Sequence, residues 1–113
     1  MHEFSEQIYE VMGWSLDAEF LPDLTTPEGF AELQKAEEWL EKKLGKIVNY
    51  RASDKRIKEN QWNASWILEV DILPTDDPIE VINLVNSTEL LARCECWLKV
   101  WEWWQENKPK EKE

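Results

Sequence analysis

The sequence predicts a single α+β domain, and three patterns predict it. A helical spacing of apolar residues with clear start and stop signals covers 27–44, a strict alternation covers 62–73, and a second, tryptophan-rich helical pattern covers 88–107. A chain of 113 residues with 42% hydrophobic content can bury one modest core but not two. Residues 1–107 therefore read as one domain and 108–113 as a charged tail.

Taken in order, the first element is a short helix over 3–12. Phe4, Ile8 and Val11 or Met12 recur at helical spacing, Glu3, Glu6 and Glu10 fall on the other side, and Gly13 ends the helix. Residues 15–24 contain Pro22 and no sustained period, which predicts a connecting loop. The second helix has the sharpest boundaries: Thr26 can cap it, Pro27 suits its first turn, Glu28 suits the positive end of its dipole, and Gly45 suits its exit. Phe30, Leu33, Ala36, Leu40 and Leu44 share its apolar stripe, while Glu32, Glu38 and Lys42 point elsewhere.

Period two follows. Val48 and Tyr50 fall on one side of a strand at 46–52, and in 62–73 Trp66, Leu68, Val70 and Ile72 alternate with Ser65, Glu69 and Asp71. Between these strands, Ser53 to Gln61 reads as a long polar hairpin loop. The β-branched run 79–85, bounded by Pro78 and by Asn86-Ser87-Thr88, predicts a third strand.

The last helix starts near Thr88. Leu90, Cys94, Trp97, Leu98, Trp101 and Trp104 form one broad apolar face, and Cys96, Val100 and Trp103 form a second stripe displaced from it by about 120°. A stripe left over in this way predicts a homodimer that buries Cys96, Val100 and Trp103 between two copies. Cys94 and Cys96 lie about 200° apart around the helix and cannot pair within one chain.

Charge is distributed unevenly. Residues 1–41 hold eleven acids and one base, 42–68 hold seven bases and two acids, and 69–113 hold eleven acids and five bases, within a total of −11. Such a chain is repelled by nucleic acid and anionic membranes and is steered toward basic surfaces. The candidate partner-binding surface is therefore acidic: Glu3, Glu6 and Glu10 of the first helix with Glu28, Glu32 and Glu38 of the second. Arg51, Lys55, Arg56 and Lys58 form an alternative ligand site with the chemistry to hold a phosphate or a nucleotide.

Catalytic patterns are lacking. The one histidine is His2, the three glycines form no phosphate loop, and the cysteine spacing is not that of a zinc site, so no catalytic residue, metal or cofactor is expected. No basic and apolar leader opens the sequence and no run is long enough to span a bilayer, so a cytoplasmic location is expected.

Val11-Met12-Gly13-Trp14 after a short helix, a helix at Pro27–Leu44, a Trp-rich strand from Trp66 to Ile72, and Thr88, Ala92, Cys94 and Leu98 in the order T-x3-A-x-C-x3-L resemble the phage ABA sandwich domain family of small phage and prophage proteins. The resemblance covers nearly the whole chain. It implies an antiparallel sheet between helical layers, an α-β-α sandwich, with phage origin and no assigned catalytic residues. The chain departs from the pattern in its basic hairpin, in lacking a proline in the first turn of the last helix, and in the cluster Trp101, Trp103 and Trp104. The functional expectation is a phage or prophage accessory protein that acts by binding, as an acidic inhibitor of a host nucleic-acid-binding defence machine. The alternatives are a nucleotide-sequestering oligomer and a virion assembly accessory.

Overall fold

The computed structural model describes residues 1–14, 21–44, 48–51, 54–69 and 79–107. The chain is of the α+β class, with three α-helices and an antiparallel sheet that packs against them. Helix α1 spans Glu3–Met12. Its first turn is capped by His2, whose Nδ1 accepts the Phe4 N–H at 3.0 Å. Gly13 ends it at φ 79°, a left-handed conformation that glycine adopts without strain.

The segment from Leu21 onward is pinned to α1. Ser5 Oγ accepts the Leu24 N–H at 2.9 Å and the Tyr9 hydroxyl donates to the Pro22 carbonyl at 2.8 Å. Asp23 organises the turn that follows by accepting the N–H groups of His2 and Thr25 and the Thr25 hydroxyl. Burial pushes its carboxyl up, but these bonds and the amino terminus outweigh it and hold the group below 3.8.

Helix α2, Phe30–Leu44, begins with a 3-10 turn at Pro27–Gly29. Thr26 precedes that turn without capping it: its hydroxyl donates back to the Asp23 carbonyl at 2.7 Å. Gly29 is required at this point because a Cβ there would run into the same carbonyl. The expected exit at Gly45 lies outside the described residues.

Strand β1 is Val48–Arg51, β2 is Lys55–Lys58, β3 is Gln61–Glu69 and β4 is Ile79–Asn86. β3 is central. β4 runs antiparallel along all of one side, from Trp62 opposite Asn86 to Glu69 opposite Ile79. β1 and β2 share the other side, β1 beside Trp66–Glu69 and β2 beside Gln61–Asn63. Four strand segments therefore make three rows. Lys55–Lys58, expected as hairpin loop, is a strand, because Asn60 at φ 61° reverses the chain in the two residues Glu59 and Asn60.

The alternation in β3 places Ala64, Trp66 and Leu68 in the core. The expected continuation through Val70 and Ile72 lies outside the described residues. Helix α3, Glu89–Asn107, covers the inner face of β3 and β4 and also packs on α1 and α2. Its N-cap is Thr88, whose Oγ1 accepts the Leu91 N–H at 3.1 Å.

The position of α3 explains why it is apolar on two sides. The Cys96 thiol meets the Ile82 carbonyl of the sheet at 3.7 Å, whereas the Cys94 thiol meets the Leu24 carbonyl at 3.6 Å and the Trp97 indole donates to the Ala36 carbonyl at 2.8 Å. Trp97 also stacks on Trp39 and Trp101, with ring centres 6.0 and 6.4 Å apart. Burying each such side chain stabilises the fold by about 1.5–3 kcal/mol. Among the described residues the helices meet only this inner face. The opposite face, with Ser65, Val81, Asn83 and Val85, carries no helical layer there: Val81 is 46% and Val85 49% exposed.

Candidate functional site

The acids of the predicted partner surface lie on α1 and α2. Glu3, Glu6 and Glu10 are exposed on the outer side of α1, and Glu28 and Glu38 are exposed at the start and middle of the second helical segment. Glu32 is half-buried and held by Lys35 at 3.1 Å. The two helical segments share one electrostatic environment at Tyr9: burial, then the charges of Glu32 and Asp23, push its phenol up to about 12.

Of these acids Glu38 also lines a cleft of about 410 Å³, formed by Gln34, Glu37, Glu38 and Glu41 of α2 and by Arg93 of α3. The four α2 residues follow at i, i+3, i+4 and i+7, the spacing that stacks side chains on one face of a helix. The floor is a buried ion pair, with Glu37 only 6% and Arg93 only 5% exposed. Arg93 Nη2 donates to Glu37 Oε1 and Nε donates to Oε2 at 3.3 Å, a two-pronged arrangement suited to a guanidinium and a carboxylate. Asp54, just before β2, approaches Arg93 Nε at 3.8 Å, and the Phe30 ring lies 5.1 Å from the guanidinium carbon. Burial alone would make Arg93 less basic, but Glu37, Asp54 and Glu89 raise it above its usual value, so the charge is firmly retained.

The chemistry of this site follows from its layering. The positive charge at the base is matched by carboxylates within the fold, and further carboxylates stand at the rim, where Glu38 is exposed. Such a site attracts an incoming ammonium or guanidinium. His2 serves as a helix cap, and among the described residues no group of three metal-ligating side chains comes together.

The remaining predicted residues are placed differently. Lys55, Arg56 and Lys58 are exposed along β2, with a register shift between Arg56 and Lys58; the side chain of Arg51 lies outside the described residues. Cys96 is 1% and Val100 0% exposed, both inside the chain's own core. Cys96 and Val100 of the second stripe are thus not available to a second copy. Trp103 is half-buried and packs against the same core.

The Glu37–Arg93 pair escaped the sequence reading. A signal for it exists: Glu37 falls between Leu33 and Leu40 on the apolar stripe of α2, Arg93 falls one turn before Trp97 on α3, and opposite charges on two buried faces predict each other. Comparison with protein-family models, with curated proteins and with solved structures returned no match. No helix among the described residues is long and apolar enough to cross a membrane.

Proposed function

We propose that this chain is a phage or prophage accessory protein that acts by binding, and that the acidic face of α1 and α2 docks on a basic surface of a host protein. The observation that carries this reading is the cleft of Gln34, Glu37, Glu38, Glu41 and Arg93, with carboxylates at its rim, on a chain whose α1 also exposes Glu3, Glu6 and Glu10. A groove that normally receives nucleic acid presents lysines and arginines to phosphates. Carboxylates on a rigid helical face compete for the same cations, and a lysine or arginine of that groove fits the cleft. The resemblance to the phage family supports the origin, and the charge pattern supports inhibition of a nucleic-acid-binding machine.

The test is affinity capture from a bacterial host lysate with the wild type and with a Glu28→Gln, Glu32→Gln, Glu38→Gln variant. Capture of a basic protein by the wild type, weakened at least tenfold in the variant, is expected. Equal capture by both removes the acidic face from the account.

A further inference from the structure

The two edges of the sheet are built to opposite rules. The outer edge at β1 and β2 is broken into two segments, carries Lys55, Arg56 and Lys58, and is irregular at Ile57. These are the devices by which a protein keeps an edge strand from pairing with another chain. The edge at β4 has a single charge, Glu80, near its start and none of the breaks or irregularities. It is eight residues long and regular in register, Val81–Asn86 contains no charge and no proline, and among the described residues no strand pairs with its outer side. Its open face carries Val81 and Val85, each nearly half exposed, with Asn83 between them hydrogen-bonded to Ser65 at 2.6 Å.

From this we infer that β4 pairs antiparallel with β4 of a second copy, about a two-fold axis through Asn83 and perpendicular to the sheet. The sequence of the strand selects both the occupant and the register. A two-fold axis of this kind keeps the open faces of both copies on one side, so residues pair only with partners of the same parity. Centring on Asn83 sets Val81 opposite Val85 of the partner, Asn83 opposite its own counterpart, and Ile82 opposite Leu84. Centring one residue earlier sets Val81 against Asn83, Ile82 against itself and Glu80 against Leu84, and larger shifts shorten the ladder. The charge pattern also favours a second copy here. Two chains of net −11 repel each other over most of their surfaces, and the uncharged stretch Val81–Asn86 is where they can approach. The contact lies away from the cleft on α2 and does not depend on what that cleft binds.

The experiment is sedimentation of the full chain over a wide concentration range, together with oxidative cross-linking of cysteine variants. The native Cys94 and Cys96 are buried and do not interfere. Asn83→Cys should cross-link to itself under mild oxidation. Val81→Cys and Val85→Cys should each fail to self-link, about four residues out of register, and should link when mixed. Val85→Lys, an exposed position that does not threaten folding, should raise the dimer dissociation constant about tenfold. A wild type that stays monomeric throughout overturns the inference. So does a dimer in which Val81→Cys self-links as readily as Asn83→Cys, a dimer dissociated by Trp103→Glu but not by Val85→Lys, or a monomer that takes up an extended segment of another protein along β4.

Discussion

The acidic helical face and the basic edge strand carry opposite charge, and they differ more in how that charge is held. On α2 the carboxylates stand on a helix fixed to α3 by Glu37 and Arg93, by the Trp97 bond to Ala36 and by three stacked tryptophans. On β2 every residue is exposed along an irregular edge. A contact surface gains from a backbone held in place by packing, because ordering it on binding opposes association. Helix α2 is held in that way and the irregular edge strand is not, which is why the contact is proposed for the former even though both are legible as charge clusters.

The largest effect that sharpens this comparison is on stability. Arg93→Ala removes the buried guanidinium that Glu37 and Asp54 share, and the loss should be about 3–5 kcal/mol by urea unfolding. Lysine at the same site keeps the charge but not the two-pronged geometry and should recover only part of it. A full-strength fold in Arg93→Ala would mean that the pair does not fix the cleft.

Next comes alkaline pH. Burial, then the charges of Glu37 and Asp23, push the Cys94 thiol from 9.0 to about 12, and the Tyr9 phenol is likewise pushed up to about 12. The unfolded chain releases these protons at its ordinary values and the folded chain keeps them, so the unfolded state binds fewer protons above pH 9 and stability falls as pH rises. The slope is about 1.4 kcal/mol per pH unit for each group in its window, complete near pH 12. Cys94→Ala should flatten the first part of that fall in a pH series of thermal melts; an unchanged slope would place the titration elsewhere.

A smaller effect is expected at Thr88. Removing its cap with alanine should lower stability by about 1 kcal/mol and fray the start of the helix that presents Arg93, read by amide exchange at Glu89–Leu91. The smallest belongs to the basic edge: Lys55→Gln with Lys58→Gln should change stability by less than about 0.5 kcal/mol, as for other exposed charges. A large loss there would reverse the comparison.

Most of the frame was legible because it rests on local rules. The spacing of Phe4 and Ile8 with Gly13, the alternation around Trp66, and Thr88 ahead of an apolar run each report an element through its own chemistry. What the sequence hid depends on pairings between distant residues. Cys96 and Val100 read as an unused stripe because periodicity gives the faces of a helix and not the layers that cover them, and α3 lies between the sheet and two helices. Thr26 looked like a cap because its role was judged locally, while the close approach of Gly29 to Asp23 diverted its hydroxyl. The acidic surface was visible in the glutamates of α1 and α2, yet its cleft was not. Glu37 and Arg93 are 56 positions apart, and each reads alone as a polar residue misplaced on an apolar face. Lys55–Lys58 reads as loop because its strand depends on the left-handed turn at Asn60, which its own polar composition does not announce.

The central claim is that the acidic helical face, and not the basic edge, makes the functional contact. The most direct measurement is a titration of the captured host protein, at low and high salt, with the wild type, the Glu28→Gln, Glu32→Gln, Glu38→Gln variant, and a Lys55→Gln, Arg56→Gln, Lys58→Gln variant. The account predicts an affinity that falls steeply with salt, a loss of at least tenfold in the glutamate variant, and no loss in the basic-strand variant. A flat salt response with unchanged affinity in the glutamate variant, or a loss confined to the basic-strand variant, would contradict it.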